Sequence, residues 1–263
     1  MAKGSYGRIH YFNDFTSPPG GITTGVPDAG STNLGGGVGL IGVNEGVIAL
    51  TVDEPGGIID ITTDTGDNDN QALVAGTFKP ADGGFWMECR FKIPDSVAAT
   101  RAAVFVGFSE TLALDTPVMP AETATTTTTY NGSGGMAGFV FDSDATTIAW
   151  RFVAGDGGAA LATSDKEGSG GTVGGAIGIS AAATITADKW YVARVEITPA
   201  GMARGYFGDI DTDEELRFIG RSTAALGTAD SFHAVALIEN RSAANERLEV
   251  DYFGGEAWRD WPP

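Results

Sequence analysis

The residues best suited to chemistry lie near the end of the chain. In "NERLEVDYFGGEAW" (245–258), Glu249 and Asp251 are two apart on a run of strand-forming residues, and Glu256 follows. Successive side chains of a strand alternate between its faces, so these two carboxylates share one. Paired carboxylates serve glycoside hydrolysis when nucleophile and acid stand roughly 5 Å apart. Strict alternation places Phe253 next on that face and assigns Leu248, Val250 and Tyr252 to the core. Glu256 falls beyond Gly254-Gly255, and the chain would have to double back to bring it in. The expectation is a closing strand with an acidic wet face and no catalytic residue.

Other constellations point to binding. "DTGDNDNQ" gathers Asp64, Asp67, Asn68, Asp69 and Asn70. Oxygen ligands at this density suit a structural Ca²⁺, with Asp67 and Asp69 as its first ligands, although the EF-hand glycine and final glutamate are missing. A solvated turn is the competing reading, and the same pair of readings applies to "GDIDTDEE". Trp86 and Trp190 stand on the polar sides of their strands, where indole rings could stack on sugar faces. Trp150 shares a face with Ile148 and Phe152, which predicts core packing. Trp258 and Trp261, in the terminal "AWRDWPP", are expected to dock on this domain or on a partner. His10 and His233 have no Cys or His nearby for a metal site. Cys89 is the one cysteine and lies in an apolar-alternating run, so it reads as a buried inert thiol.

The elements that position these residues are strands. In "FWMECRFKI" Phe85, Met87, Cys89, Phe91 and Ile93 alternate against Trp86, Glu88, Arg90 and Lys92. "KWYVARVEI" repeats the pattern, with Tyr191, Ala193, Val195 and Ile197 on the apolar side. About a dozen such runs, separated by Gly-, Pro- and Asp-rich turns, and no sustained helical period predict an all-β fold. At 263 residues the best fit is a two-sheet antiparallel β-sandwich, a jelly roll, with long loops. Residues 1–37 read as an extended N-terminal arm, 38–254 as the sandwich and 255–263 as a C-terminal tail. The Thr-rich insertion from Ala113 to Gly135 reads as a loop that is either functional or disordered.

Charge narrows the partners. Sixteen Lys and Arg against 34 Asp and Glu leave a net charge of −18, with no basic cluster. Nucleic acid and anionic membrane are therefore not expected partners. The amino terminus has no signal-like apolar core, which predicts a protein that folds in a cytoplasm.

Taken in order, "GDNDNQALVAGTFKPADGGFWMECRFKI", "AAVFVGFSE", "GFVFD", "IAWRFVAGDGG", "DKWYVARVEITPAGMARGYFGD" and "LEVDYFGG" resemble the concanavalin A-like lectin/glucanase superfamily over roughly residues 38–254. The likeness is closest to versions found in tailed-phage virion proteins, where a strand like Trp86–Arg90 precedes one like "VGFSE". It implies a non-enzymatic virion structural protein, a capsid decoration or cement protein assembled in the host cytoplasm. Its implied partners are the major capsid protein or other virion subunits, and further copies of itself in a homo-oligomer. Retaining glucanases of the superfamily carry a motif resembling E-x-D-x-x-E, whose second glutamate is absent here. The alternative implied function is a carbohydrate-binding, lectin-like module for host-surface glycans, using Trp86 and Trp190 and a Ca²⁺ held by the Asp67 loop.

Overall fold

Period-two alternation organises the chain into strands. A computed structural model describes residues 8–13, 32–35, 38–42, 48–51, 57–63, 66, 68–94, 101–111, 119–125, 127–131, 134–146, 148–157, 159–161, 163–164, 188–209 and 216–258. The first strands are β1 (Arg8–Asn13), β2 (Thr32–Gly35), β3 (Val38–Gly42), β4 (Ile48–Thr51), β5 (Ile58–Thr62), β6 (Asn70–Phe78) and β7 (Phe85–Lys92). Then come β8 (Ala102–Ser109), β9 (Ala121–Ala124), β10 (Thr127–Tyr130), β11 (Met136–Asp142), β12 (Arg151–Asp156), β13 (Ala159–Leu161) and β14 (Thr163–Ser164). The chain closes with β15 (Tyr191–Ile197), β16 (Ala203–Asp209), β17 (Arg217–Ser222), β18 (Phe232–Asn240) and β19 (Arg247–Trp258).

Two antiparallel sheets face each other. The first runs β14-β17-β16-β15-β7-β19-β5-β4, and the second runs β13-β12-β11-β8-β18-β6-β3-β2. β19 is twelve residues long and shares one edge between two neighbours. Its start pairs with β5 and its end pairs with β1, from Asn13 opposite Phe253 to Arg8 opposite Trp258. The first sheet therefore includes residues 8–13 of the expected arm and extends past Gly254 to Trp258, so it runs beyond both the 37/38 and the 254/255 boundaries.

The main core lies between the sheets. Phe85, Met87, Cys89 and Phe91 of β7 are buried there, as are Tyr191, Ala193, Val195 and Ile197 of β15, as the alternation predicts. Trp150 is fully buried and meets Phe91, Phe141 and Phe207 with ring centroids 5.2, 5.7 and 5.5 Å apart. Burial pushes the Cys89 thiol well up, so it stays protonated and inert.

A second core lies on the far side of the second sheet. Ala103 and Phe105 of β8, Val140 of β11 and Val235 and Leu237 of β18 point away from the sandwich, yet all are buried. They pack with Met119, Ala121 and Tyr130 of the β9–β10 hairpin. The described part of the Thr-rich insertion is thus an ordered apolar cover, because its few apolar residues fall where the sheet leaves a greasy face uncovered.

A buried charge cluster pins this cover. Arg241 pairs with Glu239 at 2.6 Å, Asp142 at 3.1 Å and Glu122 of β9 at 3.6 Å. The Thr123 amide of β9 donates to Asp142 Oδ2 at 2.8 Å. Three carboxylates around one guanidinium leave excess negative charge out of water. Burial pushes Glu239 up to about 7 despite the opposing pull of Arg241, with Glu122 and Asp142 adding to the rise.

Candidate functional site

Among the described residues, the outer face of the first sheet carries no such cover. On β7 Trp86, Glu88, Arg90 and Lys92 point outward and are half-buried. The register lays four rows across the sheet. Glu196, Trp86, Glu256 and His10 form one row; Arg194, Glu88, Gly254 and Phe12 form the next. Val192, Arg90 and Tyr252 follow, and then Lys92, Glu249 and Asp60.

The opening carboxylates resolve within these rows. A β-bulge falls between Val250 and Tyr252, where Asp251 is the extra residue. It reverses the alternation, so Tyr252 turns outward and Phe253 goes into the core, opposite to the strict-alternation expectation. Gly254 then stands at the last position of an E-x-D-x-x-E pattern and supplies no carboxylate. The strand runs on without doubling back, and Glu256 shares the outer face with Glu249. Their partners on β7, Trp86 and Lys92, are six residues apart, about 20 Å at ~3.3 Å per residue. Glycosidase carboxylates stand roughly 5–9.5 Å apart.

Nearer cations engage both members of the original pair. Glu249 meets Lys92 at 3.0 Å and Arg247 at 3.2 Å, and Asp251 bonds Arg90. Burial pulls the Lys92 ammonium down, but Glu249 and Asp188 outweigh it and hold it above its ordinary value. Tyr252 donates to Glu88 Oε1 at 2.7 Å; burial and that bond raise its phenol. This part of the face is a charge ladder without a catalytic dyad.

Toward the β1 end the face becomes aromatic and concave. A cleft of about 350 Å³ is walled by Trp86, Trp258, Glu196, Glu256, Thr198 and Pro199. A hollow of about 150 Å³ opens on the other side of Trp86, lined by His10, Phe12, Glu88, Tyr252 and Gly254. Trp86 is the ridge between them. The Arg194 guanidinium lies 4.3 Å from its ring centroid and is held by Glu196 at 2.8 Å, which fixes the indole. Trp258 is 49% exposed and seated over Gly83. Gly83 has φ +139, and a Cβ there would lie 2.5 Å from that of Trp258, so only glycine allows this seat.

The other expected site residues fall elsewhere. Trp190 lines neither hollow, and Arg90 and Lys92 lie over its ring at 4.7 and 5.0 Å from the centroid. Asp69 caps its own turn, accepting from the Gly66 amide at 3.0 Å while Asn240 donates to its carbonyl at 2.8 Å. Asp67 and Trp261 lie outside the described residues. Among the described residues no group of three or more His, Cys, Asp or Glu is placed to hold a metal ion. Nothing in alternation alone signals Glu256, Tyr252 or Phe12 as wall residues, since the bulge and the β1 pairing put them there.

The architecture matches solved lectins. Peanut lectin, in a complex with a nine-residue peptide, superposes with a TM-score of 0.51 at 11% identity, over 95% of this chain and 97% of that one. The CBM2 module of the evolved Dit of Lactobacillus casei BL23 phage J-1 gives 0.54 at 14% identity, over 98% of both chains. A protein of unknown function from Shewanella oneidensis MR-1 gives 0.56 at 12% identity, over 98% of this chain and 89% of that one. No family model and no curated protein sequence matches. These likenesses define the class: an all-β, two-sheet sandwich with the legume-lectin, concanavalin A-like fold.

Proposed function

We propose that this protein is a non-enzymatic carbohydrate-binding module whose site is the cleft at Trp86. The observation that carries the reading is that Trp86 and Trp258 wall one cleft with Glu196 and Glu256. Indole faces suit the apolar faces of pyranose rings, and carboxylates accept hydrogen bonds from sugar hydroxyls. A concave site with aromatic walls and few polar groups is the usual form of a small-ligand pocket. The lectin-type sandwich and the likeness to a CBM2 module support the same reading.

Screening the protein on a glycan array and titrating the best ligand by calorimetry tests it. Trp86→Ala weakens binding at least ~10-fold, about 1.4 kcal/mol, while Trp190→Ala leaves it within twofold. Failure of every glycan to bind, or wild-type affinity in Trp86→Ala, would overturn the assignment.

A phage particle is the second part of the proposal, supported by the likeness to a phage Dit module and by the family resemblance of the strands. On a virion the module grips host-surface glycans, or its contacts with the major capsid protein and with its own copies reinforce the shell as a decoration protein. Mass spectrometry of purified particles separates these roles. Hundreds of copies per particle fit a shell component, a handful fit a tail or vertex, and absence ends the virion reading.

A further inference from the structure

We infer that the binding site continues past Trp86 onto the aromatic pair Tyr206–Phe218, and that its ligand is an extended polysaccharide chain lying across the strands and held through several consecutive rings. The inference rests on the carbohydrate-binding reading and specifies the length and course of the sugar. Among the described residues the exposed large hydrophobics are Phe12, Phe218 and Trp258, and all three stand on the outer face of the first sheet. Single exposed apolar residues are ordinary, but rings collected on one face mark a contact surface. Register places Phe218 and Phe12 at opposite ends of one row. From Phe218 of β17 it runs through Tyr206, Arg194, Glu88 and Gly254 to Phe12 of β1. The row crosses five strand spacings, about 24 Å at ~4.8 Å each. A pyranose ring is about as long as one spacing, so no single sugar reaches both ends. Trp86 stands in the next row, three spacings from Phe218 and two from Phe12.

The two ends of the row are built alike. Phe218 packs on Tyr206 with ring centroids 5.6 Å apart, and Phe12 packs on Tyr252 at 5.9 Å. Each tyrosine hydroxyl donates to a glutamate, Tyr206 to Glu196 at 3.4 Å and Tyr252 to Glu88 at 2.7 Å. Both glutamates pair with Arg194, at 2.8 and 3.9 Å, and its guanidinium lies over Trp86. This chain of contacts fixes both aromatic pairs relative to the central indole before a ligand arrives, which lowers the ordering cost of binding a long one. It also engages these carboxylates within the protein, which leaves the rings as the main platforms for the ligand. A hollow lies on either side of Trp86, so a chain crosses the ridge instead of ending at it, and the site suits internal rings.

Calorimetry of the full chain against cellulose-, chitin- and polygalacturonate-derived oligosaccharides of two, four and six rings tests the inference. In at least one series the hexamer is expected to bind at least ~30-fold tighter than the dimer. Phe218→Ala lowers hexamer affinity at least ~5-fold and narrows that gap by the same factor. Phe218 is 40% exposed, and melting curves confirm that the variant folds. Dimers that bind as tightly as hexamers, or wild-type hexamer affinity in Phe218→Ala, overturn the inference while the glycan reading stands. A protein that sediments as a dimer and that Phe218→Ala returns to monomer, with hexamer affinity unchanged, assigns the row to a second copy of the chain and overturns it also. If no hexamer binds, the extended-chain inference fails, and the glycan array alone then decides whether the module takes a terminal sugar at Trp86.

Discussion

The two outer faces of this sandwich have opposite fates. Every residue of β8 is buried, because its sheet has the main core on one side and the β9–β10 cover on the other. Along β7 buried and half-buried residues alternate strictly, because its sheet has a core on one side and, among the described residues, no cover on the other. The covered face is apolar and closed by Met119, Ala121 and Tyr130. The open face is built of ion pairs that surround an aromatic cleft. A protein that needed only a stable sandwich could seal both faces. The open face carries Trp86, Trp258, Tyr252 and Phe12, where the proposed site lies, and the contrast predicts that substitutions on the two faces separate stability from recognition.

The largest effect is expected under the cover. Phe105→Ala removes a fully buried ring from the second core and should lower unfolding free energy by about 3–5 kcal/mol in urea titrations, with glycan binding of the folded fraction retained. A loss below about 1 kcal/mol would show that the hairpin is not a packed cover.

Next comes the charge cluster that pins the hairpin. Glu239 is raised from 4.5 to about 7 in the folded state, so the folded protein holds an extra proton between those values. Stability therefore falls as pH rises through that window, by roughly 3 kcal/mol, and is flat above it. Glu239→Gln should abolish this slope in thermal melts between pH 4.5 and 7. Persistence of the slope would show that Glu239 is not its source.

The smallest effect belongs to the open face. Arg90 and Asp251 are partly solvated, with side-chain exposures of 30% and 20%, so Arg90→Ala should cost about 1 kcal/mol or less. A cost several times larger would mean that the ladder supports the fold as the second core does, and the contrast between the faces would weaken.

Much of this was readable along the chain. The apolar sides of β7 and β15, the burial of Trp150 and Cys89, and the all-β sandwich follow from period-two alternation, a local property of the backbone. The outward placement of Trp86 follows from the same rule. The cover had a signal as well: "AAVFVGFS" and "MAGFVFD" are apolar at both parities, the mark of strands buried on two sides.

The site as a whole was not legible, since alternation says nothing about which strands become neighbours. Trp86 gained Glu196 and Glu256 through the order β15-β7-β19, and Phe12 and His10 through β1 pairing on the end of β19, from positions some 240 residues distant along the chain. One bulge at Asp251 exchanged the faces of Tyr252 and Phe253, because an extra residue shifts a strand's parity without altering its composition. Trp258 became a cleft wall only because Gly83, without a Cβ, leaves room beneath it. The sequence alone determined which residues face inward on most strands, since that depends on neighbours two positions away. The tertiary structure decided which outward residues form a cleft, since that depends on register between strands far apart in the chain.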